Sequence, residues 1–424
     1  MGCEVTIDDI CSSVCSGGTP QKSNSEYYEN GNIPWLNTKE ISFNRIRKTK
    51  QFITEAGLRQ SSAKWVRANS VVVAMYGATA GKVAITKIPL TTNQACCNLE
   101  VDKEVADYRY IYYWFQNQYS RVLNLANGGA QQNLNAKTIK AMEIKLPNLA
   151  LQQRIANCLS AIDDEIELNI ELNGYLEELL LAYFKALTPS DNWSEGRADS
   201  FFEIGIGKTP PRKEAEWFAN NRNGNYVWLS IKDMGTPGAY SLDSSEYLTH
   251  AAVKQKNIRQ VPEGSILLSF KLTVGRVKIA ACDMTTNEAI ACFNSSDKKQ
   301  LAYIYPYLLT YDYNKLGSTS SIATAVNSKT IKAMPIVMPN SNELSLFYTA
   351  TKPLYEQMLN IAKENIALAS LRDALLPKLM SGEIDVSKID LTQLNSHLEK
   401  RKAAASVLSL IFPIALPGLW SPMQ

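Results

Sequence analysis

Two glycine-bearing stretches, GATAGKV at 77–83 and GIGKTP at 205–210, set a lysine beside glycines in the manner of a phosphate-cradling loop. That chemistry needs four residues between the glycines, a Ser or Thr after the lysine for Mg²⁺, and a helix to follow. The first stretch has too short a gap and ends in Val83, and the second runs into Pro210, so neither is expected to bind a nucleotide. No GxGxxG occurs, nor any Asn-Pro-Pro-aromatic tetrad of the kind amino-methyltransferases use. The two histidines, His250 and His397, are too few for a histidine-based triad or for zinc, and the eight cysteines form no CxxC pair. Thiols without a disulfide framework point to a reducing cytoplasm, and Glu4, Asp8 and Asp9 interrupt any secretory apolar run after Met1. The acidic pair Asp163 and Asp164 reads as the solvated face of a helix. No catalytic site, bound cofactor or metal is expected.

Binding residues are easier to nominate. Net charge is only +3, but residues 1–148 carry 17 basic and 12 acidic side chains, 189–340 carry 17 and 14, and 149–188 carry 2 and 7. A polyanion would meet the two basic segments and avoid the acidic one between them. NRIRKTK offers Arg45, Arg47, Lys48 and Lys50, a run that reads equally as a phosphate contact or a solvated loop. The stretch Tyr76, Thr79, Lys82 and the related Lys271, Thr273, Arg276 each end a glycine-permitted turn on a cation, suited to close backbone approach. Asn37, Lys39, Ser230 and Lys232 flank Trp35 and Trp228, which are expected to be core anchors more than stacking platforms. Thr19 and Lys22, with Lys208, Thr209, Arg212 and Lys213, complete the candidates for contact with DNA.

Those residues sit in a duplicated frame. NAKTIKAMEIKLPN from Asn135 matches NSKTIKAMPIVMPN from Asn327 at 10 of 14 positions, an offset of 192. TTNQA at Thr91 returns as TTNEA at Thr285, PWLNTKEI at Pro34 as VWLSIKDM at Val227, and GGTP at Gly17 as GKTP at Gly207, at offsets of 194, 193 and 190. This period is too long for a solenoid and describes two copies of a whole α+β module. SVVVAMYGATAGKVAI and SILLSFKLTVGRVKIA read as strand, turn, strand, and the aromatic stretches from Tyr108 and Tyr303 as helices.

Between the modules, 149–187 holds no proline and a single glycine. Leu159, Ile166, Asn173, Leu180 and Leu187 recur every seven residues, with Ile155, Ile162, Asn169, Leu176 and Tyr183 as the companion column. The second copy gives Met358, Asn365 and Leu379, with Phe347, Leu354, Ile361, Leu368 and Leu375. There Thr351 and Arg372 fall on the seam and Pro353 predicts a kink or a late start. Each long helix either packs on its own module or pairs antiparallel with the other. In the second case Asn173 and Asn365 sit at equivalent places, a buried Asn layer sets register, and the pair acts as a ruler. The expected domains are 1–148, 149–188, 189–340, 341–382 and an extension, 383–424. Its apolar end, 406–424, is broken by Pro413 and Pro417 and reads as a loosely held or partner-binding strip, not a membrane span.

LPNLALQQRIANCLSAIDDEI from Leu146 resembles the conserved region of the specificity (S) subunits of type I restriction-modification systems, and LRDALLPKLMSGEIDV from Leu371 the end of their second conserved region. GGTP, GKTP, IPWL and GKVAI are similar to their target-recognition domains; NSNELSLFYTA departs from the usual Gln-Ile signature. The resemblance implies two target-recognition domains separated by an antiparallel helix pair. It implies a non-catalytic subunit of a type I restriction enzyme and adenine-specific DNA methyltransferase complex, reading an asymmetric, two-part double-stranded DNA target. Two methyltransferase subunits and restriction subunits would dock on it, bringing S-adenosylmethionine, Mg²⁺ and ATP. A non-specific scaffold and a stand-alone DNA-modifying enzyme are the competing classes.

Overall fold

A computed structural model describes residues 3–127, 134–316, 326–392 and 396–403. The apolar end 406–424 lies outside them, and no described helix is long and apolar enough to cross a membrane. Two units emerge, Met1–Asp164 with Ala369–Leu398, and Glu165–Leu368 with Glu399–Gln424. Four helices organise them: α1 (Tyr108–Asn117), α2 (Leu149–Ala186), α3 (Lys298–Thr310) and α4 (Ser341–Ser381). Both α2 and α4 give one segment to each unit.

The 14-residue repeat encodes the same local structure twice. Asn135 caps a short helix, Ala136–Lys140, by accepting from the Thr138 amide at 2.9 Å, and Asn327 caps Ser328–Lys332 in the same way. A strand follows, Glu143–Leu146 or Pro335–Met338, paired antiparallel with Cys3–Thr6 or Ser194–Arg197. Pro-Asn then ends the strand and starts the long helix: Asn148 accepts from the Leu151 amide at 2.9 Å, and Asn340 from Asn342 and Glu343 at 3.0 and 3.1 Å. The Glu343 carboxylate accepts in return from the Asn340 amide, closing a capping box. That box starts α4 at Ser341, upstream of Pro353, so the late start expected from the proline does not occur. The departure from the Gln-Ile signature is also local: Gln152 is buried and bonded to Pro147 and Asp107, whereas Leu344 fills the corresponding place with plain apolar burial.

In the first unit a five-stranded sheet runs in the order Cys11–Ser16, Cys96–Val101, Val71–Ala74, Val83–Thr86, Asn44–Ile46. A four-stranded sheet runs Gln51–Ile53, Ile33–Leu36, Leu90–Thr92, Trp65–Val66. The second unit repeats the first sheet as Glu203–Ile206, Ile290–Asn294, Ile266–Ser269, Val277–Ala280, Tyr240–Ser241. Its other sheet runs Phe218–Ala219, Tyr247–Leu248, Tyr226–Leu229, Thr285–Thr286, keeping three strands of the first copy in the same order but adding its fourth strand on the opposite edge. The strand-turn-strand and aromatic-helix expectations hold in both copies. The aromatic face of α1 packs Tyr110, Ile111 and Phe115 on Val71, Val73 and Leu99; α3 packs Tyr303, Ile304 and Leu308 on Ile266, Leu268 and Phe293. Each such side chain contributes about 1.5–3 kcal/mol on burial.

The long helices pack on these modules and on each other. In the first unit Ile155 and Leu159 of α2 share the core with Leu376 and Leu379 of α4, and Arg372 donates to Asp163 at 2.9 Å. In the second, Leu180 shares the core with Phe347 and Met358, and Asn169 donates to Asn365 at 2.9 Å. Within each unit the partners' numbers run in opposite directions, so the pairing is antiparallel. Asn365 therefore meets Asn169 and not Asn173, because an antiparallel register pairs residues of constant sum and not of constant offset. Ile162 and Ile361 are buried on this seam and Ile166, Leu176, Leu354, Leu368 and Leu375 half-buried, with Leu376 deeper than Leu375; Tyr183 is exposed. The seam polar residues are accommodated: Thr351 donates to the Phe347 carbonyl at 2.8 Å, and Arg372 has Asp163. Asp163 also accepts from the Tyr113 hydroxyl at 2.6 Å, and Asp164 pairs with Arg45, so these carboxylates are not the solvated face that the helix pattern implied.

Candidate nucleic-acid interface

The anchors recognised in the repeat converge. Strand pairing sets Trp35 beside Thr91 in the first unit and Trp228 beside Thr285 in the second, both parallel. The indole of Trp35 donates to the Gly18 carbonyl at 3.0 Å, and that of Trp228 to the Lys208 carbonyl at 3.2 Å. Both rings are nearly fully buried, so they support the GGTP and GKTP turns from beneath and are not stacking platforms. A side chain at Gly17 or Gly207 would collide with Thr92 and Asn93, or with Thr286 and Asn287, which explains the glycine at that place in each copy.

Three more loops join each turn. The Gly18 amide donates to the Thr92 carbonyl at 2.8 Å and the Lys208 amide to that of Thr286 at 2.8 Å. The Met75 amide reaches the Ala95 carbonyl at 2.8 Å and the Phe270 amide that of Ala289 at 2.9 Å, bringing in the turns that carry Tyr76–Lys82 and Lys271–Arg276. Thr79 donates to the Thr38 carbonyl at 2.8 Å, and Arg276 to that of Ile231 at 2.6 Å, adding the loops of Asn37–Lys39 and Ser230–Lys232. Each unit thus presents a platform of four loops from four separated sequence segments. Neither glycine-lysine stretch leads into an α-helix: 77–83 is a hairpin turn, and the loop after Ile206 goes on to a short 3₁₀ turn at Ala215–Trp217.

Among the nominated residues, Lys39, Tyr76, Lys208, Lys232, Lys271 and Thr273 are exposed on these loops. Thr19 donates to the Gln94 side chain, and Thr209 to the Glu288 carboxylate. Asn37 and Ser230 are partly committed to their own turns, Asn37 capping with Glu40 and Ser230 donating to Asp233 at 2.6 Å. Lys82 reaches Ser42 at 3.3 Å. Lys22 and Lys213 are exposed just beyond the turns, as are Arg47, Lys48 and Lys50 on the segment that passes from Asn44–Ile46 in one sheet to Gln51–Ile53 in the other. Two cations stand apart. Arg45 is drawn onto α2 by Asp164 and the Ser160 carbonyl, and Arg212 lies over Trp228 and Phe218, 4.6 and 4.8 Å from the ring centroids, paired with Glu246. Their charge is therefore held by the protein.

Gln94 and Glu288 escaped the sequence reading, although they are the single mismatch between TTNQA and TTNEA. Burial works to raise the Glu288 carboxyl, but the Thr209 hydroxyl and the charges of Lys271 and Arg212 outweigh it and hold it below the usual carboxylate range. One platform therefore carries a neutral amide where the other carries an anion. No group of described residues is arranged to hold a metal ion.

Residues 3–178 and 190–366 each match the model of the Type I restriction modification DNA specificity domain. The chain is 28% identical over 413 residues to the type I restriction enzyme MjaIX specificity subunit of Methanocaldococcus jannaschii, covering 90% of this chain and 93% of that one. It is 31% identical over 191 residues to the EcoR124I/EcoR124II specificity subunit of Escherichia coli, covering 41% and 47%. The crystal structure of a type I S subunit from M. genitalium superposes over 89% of this chain and 95% of that one, with 17% identity and a TM-score of 0.48.

Proposed function

Since the chain belongs to the type I restriction-modification DNA specificity family, whose members are the non-catalytic specificity subunits, we propose that its two loop platforms each read one half of a bipartite, asymmetric DNA target. The observation that carries this reading is the pair of platforms built on one frame but furnished differently, with Thr19 and Gln94 in one and Thr209 and Glu288 in the other. Identical frames give both halves the same docking geometry, and unlike side chains give them different bases. Residues 1–148 and 189–340 are the reading domains, and the helices joining them, α2 at about 57 Å by length, set the gap between half-sites. Exposed cations such as Lys39, Lys232 and Lys271 supply salt-dependent phosphate contacts, while each good base contact discriminates by about 1–3 kcal/mol.

Two methyltransferase subunits and the restriction subunits dock on this chain in the cytoplasm. S-adenosylmethionine, Mg²⁺ and ATP belong to those partners. Co-expression with the methyltransferase chain, followed by sequencing of modified bases in host DNA, tests the reading. A split, asymmetric methylated motif that disappears without this chain is the expected result. Methylation with no motif would leave a non-specific scaffold, and methylation by this chain alone would make it an enzyme.

A further inference from the structure

Leu272 bears two costs at one position. Its side chain is 98% exposed, and its backbone is left-handed, with φ at +60°. The Thr273 amide bonds back to the Lys271 carbonyl at 2.6 Å, which makes Leu272 the centre of a γ-turn of the rare, strained hand. A lone exposed leucine needs no explanation, and neither does a glycine or asparagine at positive φ. A leucine combining both gains nothing within the chain. In the first copy the corresponding residue is Gly77, at φ +86°, so the frame itself accepts a glycine here.

The turn is held firmly in this shape. Ser269 donates to the Thr273 carbonyl at 2.6 Å and accepts from the Arg276 amide at 3.0 Å, the Gly275 amide bonds to the Ser269 carbonyl, and Arg276 is fixed on Ile231. Strain that surroundings over-determine in this way is characteristic of functional sites. We infer that Leu272 is a wedge that inserts between base pairs of the half-site read by the second platform. This rests on the reading of that platform as a DNA-binding surface. The neighbours favour nucleic acid over a protein partner: Lys271 is adjacent, Lys208 and Lys232 lie on the same platform, and on this loop only Val274 adds exposed large apolar surface. A single apolar tip among cations is built to enter a stacked, polyanionic ligand, not to cover a flat apolar face.

The test uses the full chain purified with its methyltransferase partner and an end-labelled duplex carrying the methylated motif, with affinity and bend angle read by energy transfer. Wild type should kink the duplex. Leu272→Gly should bind about tenfold more weakly, the scale of burying one leucine side chain less the cost of unstacking a step, and bend it less. Its Tm should not fall, because glycine relieves the left-handed backbone. Leu272→Phe should keep the bend. Equal affinity and bend for Leu272→Gly would overturn the wedge while leaving DNA recognition standing. Loss of methyltransferase assembly by Leu272→Gly, with DNA binding and bending retained, would make Leu272 a protein contact. No binding of the duplex by the wild-type complex would remove the functional reading and the wedge with it.

Discussion

Lys278 lies on a central strand of the second module, only 4% exposed, where the first module has Ala84. Its ammonium donates to the carbonyls of Thr236, at 2.6 Å, and Gly238. Desolvation lowers it from the ordinary lysine value of 10.5 to about 8, against the opposing pull of Glu177. Between those two pH values the unfolded chain binds more protons than the folded one, so this group makes stability rise with pH. Lys278→Met removes that rise. Urea titrations of wild type and variant at pH 7 and pH 10 should show the variant's relative stability falling by roughly 2 kcal/mol at the higher pH. A constant difference would mean that Lys278 is not desolvated. Residues of this kind are where sequence reading fails. VKIA reads as strand, but whether a strand lysine points to solvent or into the fold depends on which carbonyls other loops bring to it. Asp163 and Asp164 were misread for the same reason, since Tyr113, Arg372 and Arg45 come from distant segments.

The same distinction runs through the elements. Both long helices and the strand-turn-strand units were legible, because heptad and alternation are written in neighbouring residues; the start of α4 was not, since the Asn340 and Glu343 cap outweighs Pro353. The partner across the helix pair was not. Asn169, fully buried, donates to Glu364 at 3.2 Å and Asn365 at 2.9 Å and accepts from Arg401 at 2.8 Å, while Arg401 also pairs with Glu165. Asn173, the asparagine that the repeat offset matched to Asn365, instead buries its amide oxygen without a protein partner. A polar cluster of this sort fixes register only while every member is satisfied. Asn169→Leu strands the Asn365 and Arg401 groups and should destabilise the chain by about 2–3 kcal/mol. Asn173→Leu, with no bond to lose, should cost far less. Denaturant midpoints for the two variants decide between this arrangement and a seam centred on Asn173.

At the scale of the whole molecule, duplication makes recognition separable from assembly. Exchanging 1–148 with 189–340 preserves the joints, since the Asn-capped turn, the strand and the Pro-Asn start are the same in both copies. It does not preserve the packing on the helices. Shifted by the repeat offset of 192, Asp163 is replaced by Tyr355, so the Tyr113 hydroxyl loses its acceptor, and Asp163, still paired with Arg372 across the retained helices, loses a donor. The exchanged chain should therefore be less stable by about 1–3 kcal/mol, the cost of leaving a buried hydroxyl without its partner. Its methylated motif should nonetheless carry the two half-sites in exchanged order across an unchanged gap, because the loops that differ between platforms travel with their modules and the helices stay. Sequencing of modified bases reads the motif and thermal melting the stability. An unchanged motif in a folded, exchanged chain would mean that the helices, not the loop platforms, select the bases.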